Sequence, residues 1–187
     1  MQTNDKPLFY EYLDKASTYF EFGSGGSTYQ ATLRKNIKTI ISVESDLEWH
    51  NKLKDILKNN TNIKFIYNEL DTKPNMWGHP GPNSTIAQKI NYSNHIILLD
   101  KEVSKNIDFM LIDGRFRAAC CLKSFDVINN NCIIAFDDFI NRPQYHVVLN
   151  YFDIVNKSSS NIMVFLKKKV GCSVPKELIE KYELIAD

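Results

Sequence analysis

The sequence predicts an α/β domain built on a mainly parallel β-sheet. Strand-like and helix-like segments alternate from one end of the 187-residue chain to the other, which is typical of successive β-α-β units. The segment 107–112 does not alternate between apolar and polar residues, as expected of a strand that is buried on both faces. The length is that of one domain, so we expect residues 1–187 to form a single domain.

Composition excludes several classes of protein. Hydrophobic residues make up 43% and charged residues 24% of the chain, which is globular rather than disordered composition. The net charge of +1 lacks the strong positive excess of a general nucleic-acid binder. No apolar run reaches the length of a membrane span, and the first residues do not resemble a signal peptide. The sequence therefore predicts a soluble, cytoplasmic protein that binds neither nucleic acid nor membrane.

The first part of the chain contains three predicted strands, each a short run of β-branched and aromatic residues, at 18–22, 39–43 and 63–67. A helix at 5–16 precedes them, and helices at 27–35 and 47–57 connect them, because apolar residues recur there at helical spacing. The first strand ends in the turn Gly23-Ser24-Gly25-Gly26.

Residues 70–95 interrupt this alternation, since their prolines and glycines cannot continue a helix or a central strand. A loop of this length in a compact domain is more often functional than idle, and we expect it to close over a bound substrate as a lid. The remaining predicted elements are a strand at 107–112, a helix at 116–129, a strand at 132–136, a helix at 144–152, a hairpin at 153–157 and 161–166, and a helix at 175–184.

The segment after the first strand is typical of a site for a nucleoside-type cofactor. Its glycines let the backbone approach a ligand closely, and the next helix presents free N–H groups at its start. Glu44 ends the second strand 21 residues after Gly23, where an acid is placed to accept hydrogen bonds from both ribose hydroxyls. The P-loop pattern is absent, and Thr28 replaces the last glycine of Gly-x-Gly-x-x-Gly. A purely structural turn is the alternative.

The run from Glu21 to Ser27 resembles motif I of the class I S-adenosylmethionine-dependent methyltransferases, Glu-x-Gly-x-Gly-x-Ser. The resemblance implies a doubly wound, Rossmann-like fold with a seven-stranded, mostly parallel sheet and a C-terminal antiparallel hairpin. It also implies S-adenosylmethionine as cofactor. Glu44 would then hold the ribose, Asp113 would contact the cofactor, and the residues at the methionine end would be Glu21, Gly23, Ser24, Gly25 and Ser27.

Acidic residues follow the next two predicted strands. Asp113 comes after 107–112, and Asp137 and Asp138 come after 132–136. Ligands gather at the carboxyl ends of parallel strands, and three carboxylates there repel one another unless a partner such as a divalent cation neutralises them. Two alternatives remain open: a metal-free role toward cofactor or substrate, and a structural role in which these acids cap a helix or hold the turn at Gly114.

This arrangement is similar to that of catechol-type and macrocin-type O-methyltransferases. The similarity implies that Asp113, Asp137 and Asp138 hold Mg²⁺ or Mn²⁺, which lowers the pKa of an acceptor hydroxyl on a small molecule or a sugar conjugate. Asp113 and Asp138 would then be catalytic. His79, in the loop, competes with Asp113 for the role of general base, with simple packing or exposure as its alternative.

Three short runs also resemble a poorly characterised methyltransferase-like group. They are 112–120, which contains Asp-Gly-Arg-Phe-Arg, the run 138–145, and Trp77-Gly78-His79-Pro80. We expect acceptor contacts from Trp77, Arg115, Arg142 and Tyr145. Arg115 has a second interpretation, an ion pair with Asp137 or Asp138.

Two other functions stay open at this point. One is an enzyme that uses NAD(P) or a nucleotide sugar on a similar sheet, and the other is a non-catalytic methyltransferase-like binding module. The sequence also leaves open whether the protein forms a homo-oligomer.

Overall fold

The computed structural model describes residues 1–160 and 162–186 and contains a seven-stranded sheet. Its strands are β1 (Thr18–Phe22), β2 (Thr39–Glu44), β3 (Ile63–Tyr67), β4 (Phe109–Ile112), β5 (Ile133–Phe136), β6 (Phe152–Lys157) and β7 (Val164–Lys168). They lie in the order β3-β2-β1-β4-β5-β7-β6. Strands β1 to β5 are parallel, and β7 runs antiparallel to both β5 and β6. The predicted fold class is confirmed, including the C-terminal hairpin.

Helices cover both faces of the sheet. They are α1 (Lys6–Leu13), α2 (Gly26–Thr32), α3 (Leu47–Ile56), α4 (Ile86–Asn94), α5 (Lys101–Lys105), α6 (Arg117–Ser124) and α7 (Lys176–Tyr182), with 3-10 helices at Thr3–Asp5 and Pro143–Asn150. Alternate residues of β1 point to opposite faces, so that Tyr19 packs with α1 and α2 while Phe20 belongs to the core beneath α4 and α6. Each face therefore has its own buried apolar core.

The strand order places β1 at the point where the chain changes direction across the sheet. The chain runs outward from β1 to β3 and then returns to add β4 on the other side of β1. Phe22 pairs with Val43 of β2 and with Ile112 of β4, so the residues that follow β1 and β4 are neighbours. The N–H of Asp113 donates to the carbonyl of Phe22 at 2.9 Å. Ligands of such sheets bind at this kind of switch point.

The predicted loop at 70–95 is partly wrong, because its last part forms α4. The side chain of Thr85 accepts a hydrogen bond from the N–H of Gln88 at 3.1 Å, and the Gln88 side chain accepts one from the N–H of Thr85 at 2.8 Å. This capping box starts a helix three residues beyond Pro82. The Thr-x-x-Gln pattern was visible in the sequence, but the preceding prolines and glycines obscured it. The short helix α5 was not predicted.

Other differences concern boundaries. The segment predicted as a helix at 144–152 is a 3-10 helix, and its last residue, Phe152, begins β6. The helix predicted at 116–129 covers only Arg117–Ser124. It begins after Phe116, because Phe116 has a left-handed φ of 51° and cannot be helical. The strand predicted at 161–166 begins at Val164, and residue 161 lies outside the described residues.

In the described part of the chain, no helix combines the length and the apolar character that crossing a membrane requires. Cys120, Cys121 and Cys132 are free and buried, while Cys172 is free and exposed. Burial raises the pKa of the Cys121 and Cys132 thiols well above the ordinary range. These two thiols are therefore protonated at neutral pH and poor nucleophiles.

Candidate functional site

The glycine turn after β1 is tightly packed at Gly23 and open at Gly25 and Gly26. Gly23 has a φ of +94°, and a Cβ there would lie 2.8 Å from the carbonyl of Asp113. A Cβ on Gly114 would lie 3.0 Å from the nitrogen of Gly23, so the turns after β1 and β4 touch backbone to backbone. A Cβ on Gly25 or Gly26 would meet nothing within 4 Å. The turn thus has the free space beside its backbone that a cofactor cradle needs.

Glu21 anchors this turn from below. Its carboxylate is fully buried and accepts hydrogen bonds from the hydroxyls of Tyr19 at 2.8 Å, Ser27 at 2.7 Å, Ser42 at 2.6 Å and Thr28. Burial raises the pKa of Glu21, and these hydroxyls oppose the rise because they stabilise the carboxylate. The network fixes the start of α2 against β1 and β2. Glu21 is not exposed toward a ligand, so its predicted place among residues lining the methionine end is not observed.

Glu44 ties the end of β2 to the glycine turn. Its Oε1 accepts hydrogen bonds from the N–H groups of Ser45 at 2.7 Å and Asp46 at 2.8 Å, and its Oε2 accepts one from the N–H of Ser24 at 3.0 Å. Burial raises the pKa of Glu44 to about 6, in spite of these three hydrogen bonds. A carboxylate has about four acceptor positions, so roughly one is left for a ribose hydroxyl. The predicted contact with both hydroxyls would require one backbone donor to move.

Ser24 is held from three directions, and two of its partners were missed by the sequence analysis. Besides the bond from its N–H to Glu44, its hydroxyl lies 2.6 Å from the hydroxyl of Ser42, and its carbonyl accepts from Trp49 Nε1 at 2.8 Å. Trp49 projects from α3 and stays 39% exposed beside the turn. These contacts join residues distant in sequence, and no local pattern points to them. The turn is therefore preorganised on β1, β2 and α3.

The loop that follows β3 packs against the Glu44 end of β2. The carbonyl of Gly78 accepts a hydrogen bond from Ser45 Oγ at 3.0 Å, and a Cβ on Gly78 would approach that oxygen to 2.7 Å. Trp77 is 86% exposed and has a left-handed φ of 52°, which is rare for a bulky side chain. The loop closes on itself, since the N–H of Gly81 donates to the carbonyl of Leu70 at 2.7 Å. The predicted lid is thus a loop that is closed by the hydrogen bond between Gly81 and Leu70 and attached to Ser45 through Gly78.

The backbone of the loop that carries His79 is attached on the Glu44 side of the glycine turn. His79 follows Gly78, whose carbonyl accepts a hydrogen bond from Ser45 just beyond β2, whereas Asp113 follows β4. In the sheet, β1 lies between β2 and β4. Adjacent strands are about 4.8 Å apart, so the two strand ends are separated by roughly 10 Å. Trp77 and His79 therefore lie on the side of the site nearest Glu44, while Asp113 lies on the opposite side of the glycine turn.

The three acidic residues meet at the ends of β4 and β5, as predicted, but around an arginine. The Arg117 side chain is 3% exposed. Its Nη2 lies 3.2 Å from Asp113 Oδ1, and its Nη1 lies 3.4 Å from Asp138 Oδ2 and donates to the carbonyl of Asp137 at 2.8 Å. Its Nε donates to the carbonyl of Gly114 at 2.9 Å. The sequence analysis assigned no role to Arg117, although its position four residues after Asp113 was visible.

An ammonium group lies on the other side of the acidic residues. The amino group of Met1 is 2.7 Å from Asp137 Oδ2 and 3.3 Å from Asp113 Oδ2. Asp137 Oδ1 is buried and has no hydrogen-bond partner among the described residues. Burial and the nearby charge of Asp113 raise the pKa of Asp137 to about 6, while the Met1 ammonium opposes the rise. The side of the cluster away from Arg117 thus binds a hydrogen-bond donor between two carboxylates.

Three of the residues expected to bind the acceptor, Arg142, Tyr145 and Arg115, differ in exposure and in their contacts. Arg142 is partly exposed, and its guanidinium lies 2.9 Å from Asp138 Oδ2 and donates to the hydroxyl of Tyr145 at 3.2 Å. Tyr145 itself is fully buried against Phe136 and offers no exposed surface to an acceptor, so that contact stays a prediction. Its hydroxyl positions Arg142 instead. Arg115 is half-buried, and its N–H lies 3.4 Å from the hydroxyl of Tyr92.

The donor set does not fit the predicted Mg²⁺ or Mn²⁺. Within the described residues there is no group of three or more His, Cys, Asp or Glu side chains that could hold a metal ion. Asp113 and Asp138 each direct an oxygen at Arg117, and Asp138 also pairs with Arg142. The physical reason is charge, because each carboxylate already has a positive partner. Asp113 and Asp138 pair with guanidinium groups, and Asp137 pairs with the Met1 ammonium.

Comparison with known proteins identifies the fold. No protein-family profile and no curated protein sequence matches the chain. A methyltransferase-like protein from Silicibacter pomeroyi matches with a TM-score of 0.84 and 22% identity, over 100% of this chain and 96% of that one. An rRNA methylase from Streptococcus thermophilus matches at 0.57 and 12%, over 90% and 98%. A ribosomal protein L11 methylase from Lactobacillus delbrueckii subsp. bulgaricus matches at 0.55 and 12%, over 90% and 80%.

Sheet order and site location thus define the class I methyltransferase fold. The three similar structures share this fold. Two of their names give different targets, rRNA and ribosomal protein L11, and identities at this level show the fold alone.

Proposed function

We propose that this protein is an S-adenosylmethionine-dependent methyltransferase. The observation that carries the proposal is the glycine turn at the switch point, open beside Gly25 and Gly26 and bordered by the Glu44 carboxylate. S-Adenosylmethionine supplies, when bound, a methyl group on a positively charged sulfur. In the proposal, Gly25, Ser24 and Ser27 border the methionine end, and Glu44 accepts a hydrogen bond from the ribose. The methyltransferase fold of the similar structures supports this assignment.

The proposed acceptor is a hydroxyl of a small molecule or sugar conjugate in the cytoplasm, and Asp113 is the proposed general base. Its side chain is 26% exposed, and its backbone adjoins Gly23. Arg117 binds Oδ1, while Oδ2 contacts the Met1 ammonium at 3.3 Å. In the proposal an acceptor hydroxyl replaces that ammonium, and Oδ2 takes its proton as the acceptor oxygen bonds to the methyl carbon and the bond from that carbon to sulfur breaks. Transfer then depends on orientation and on a positioned base, without a metal. Asp138 is less suited to this role, because its Oδ2 is bound by two arginines. His79 stays the alternative base in the proposal.

A second candidate is methyl transfer to an amine. The observation that favours it is the primary ammonium held between Asp113 and Asp137. Two carboxylates orient an ammonium and accept its proton, which frees the lone pair for attack.

Ligand binding tests the proposed function. We expect S-adenosylhomocysteine to bind with a micromolar dissociation constant, about 8 kcal/mol, in titration calorimetry. At 100 times that constant it should raise the free energy of unfolding by about 2.7 kcal/mol. NADH and UDP-glucose are the matched comparisons, because they represent the alternative enzyme classes. Stabilisation by either of them but not by S-adenosylhomocysteine would contradict the proposal, and no binding of all three would favour a non-catalytic module.

Loop 70–85 provides a second test. If it covers the bound acceptor, Trp77 fluorescence should change and amide exchange in 71–80 should slow when S-adenosylhomocysteine is present with a competent acceptor. Trp77→Phe is the control, because the fluorescence change should disappear with it while Trp49, which donates to the carbonyl of Ser24, stays in place. Unchanged amide exchange in the saturated complex would show that the loop does not move when ligands bind. The hydrogen bonds between Leu70 and Gly81 and between Ser45 and Gly78 would then be enough to hold it in place.

A further inference from the structure

We infer that Arg117 is the built-in cation of the acidic cluster and occupies the role that the resemblance to metal-dependent O-methyltransferases assigns to a divalent ion. The inference rests on the proposed function in one respect, that this cluster is the acceptor side of a methyl-transfer site. Arg117 would be a positioning residue, since it acts through Asp113 and Asp138.

The contacts of Arg117 use nearly all of its hydrogen-bonding capacity at the ends of two strands. It binds the backbone carbonyls of Asp113 at 3.4 Å, Gly114 at 2.9 Å and Asp137 at 2.8 Å, in addition to the two carboxylates. A guanidinium presents five N–H donors in a fixed plane, and such a plane suits this set of oxygens. Arg117 is buried at the start of α6, so its guanidinium is surrounded by these oxygens and not by solvent.

The charges explain why this arrangement favours an arginine over a metal. Arg117, Arg142 and the Met1 ammonium bring three positive charges to the cluster, and these balance the three negative charges of Asp113, Asp137 and Asp138. A divalent ion placed among the same oxygens would lie beside a buried guanidinium, and in that low-dielectric setting the repulsion is strong. Asp113 Oδ1 and Asp138 Oδ2 would also have to leave Arg117 in order to coordinate the ion.

The arrangement has a consequence for acceptor recognition. A metal-dependent site binds adjacent hydroxyls through the ion. Here Arg117 holds Asp113 Oδ1 and Asp138 Oδ2, while Asp113 Oδ2 and the Asp137 carboxylate face the Met1 ammonium. These two acids bind a donor directly, as they do the Met1 ammonium. An acceptor therefore needs a single N–H or O–H group at this point and no chelating pair.

The test measures Mn²⁺ binding to the full chain by electron paramagnetic resonance, together with S-adenosylhomocysteine binding by calorimetry. We expect the wild type and Arg117→Lys, which keeps the charge, to bind no Mn²⁺ below about 1 mM. Arg117→Met removes the charge and should gain Mn²⁺ affinity by roughly tenfold or more, since three carboxylates then converge with a weaker counter-charge. Arg34→Met is the control, because Arg34 is a largely buried arginine paired with Asp14 away from this cluster, and it should gain nothing.

Micromolar Mn²⁺ binding to the wild type that is lost in Asp113→Asn would overturn the inference, and this measurement does not depend on whether Arg117→Met folds. A folded Arg117→Met that gains no Mn²⁺ affinity would also overturn it. Failure of the proposed function is distinguishable: absence of S-adenosylhomocysteine binding to the wild type refutes the cofactor assignment and leaves the Mn²⁺ result to decide the role of Arg117.

Discussion

Replacing Gly23 with alanine should lower the free energy of unfolding by about 2–5 kcal/mol. Two costs add. The backbone at Gly23 has a φ of +94°, which a residue with a Cβ adopts only under strain, and the new methyl group would lie 2.8 Å from the backbone of Asp113 and Gly114. Backbone atoms cannot turn away as a flexible side chain can, so β1 and β4 would have to separate. Urea denaturation followed by circular dichroism measures the loss.

Gly26→Ala is the matched control in the same turn. A Cβ at Gly26 meets nothing within 4 Å, and the residue is the first of helix α2. Alanine is the better helix former by up to about 1 kcal/mol, so stability should stay unchanged or rise slightly. Equal destabilisation by Gly23→Ala and Gly26→Ala would show that contact with the turn after β4 does not explain the glycine at position 23.

Glu44→Ala should weaken S-adenosylhomocysteine binding by about 1.5–3 kcal/mol, the range for a hydrogen bond to a charged group. This corresponds to roughly a 10- to 150-fold higher dissociation constant in calorimetry. Part of the effect is indirect, because the Glu44 carboxylate also holds the N–H of Ser24 in the glycine turn. Glu48→Ala, on the exposed side of α3, is the control and should bind like the wild type. An unchanged dissociation constant for Glu44→Ala would show that the ribose does not bind at this end of β2.

The raised pKa of Glu44 makes the same interaction dependent on pH. Its folded value of about 6 exceeds the ordinary 4.5, so ionising this carboxyl costs the folded state about 2 kcal/mol, a cost that sets in as pH rises from 4.5 through 6. A ribose hydroxyl donates to the ionised form and offsets part of that cost. Binding should therefore weaken by up to about tenfold between about pH 7.5 and about pH 5.

Two variants assign this pH dependence to its group. Glu44→Gln should flatten the profile, because it removes the titrating carboxyl. Asp137 also has a pKa of about 6, but it lies on the acceptor side, so Asp137→Asn should leave the dependence in place. A profile that is flattened by Asp137→Asn alone would show that S-adenosylhomocysteine affinity responds to the acidic cluster and not to the ribose site.

The glycine turn shows how far sequence patterns reach and where they stop. Gly23 and Glu44 were predictable, because strand, glycines, helix and acid follow one another at short, characteristic spacings. The roles of Glu21 and Ser42 were not, since a hydroxyl–carboxylate network between β1, β2 and α2 arises only when the strands pair. In the same way, Thr85 and Gln88 carry a local pattern that starts α4, but the neighbouring prolines and glycines outweighed it.

The sequence by itself determined the order of the seven strands along the chain, the glycine turn after β1 and the placement of Asp113, Asp137 and Asp138 at strand ends. Each of these follows from hydrophobic periodicity, from turn residues and from the rule that parallel strands end at one edge. Only the tertiary structure decided what neutralises the acids. Whether a metal ion or an arginine neutralises these carboxylates depends on which side chain the fold buries beside them. Residue 117 enters the cluster because α6 starts directly above the ends of β4 and β5, with Phe116 in a left-handed conformation that directs the helix there.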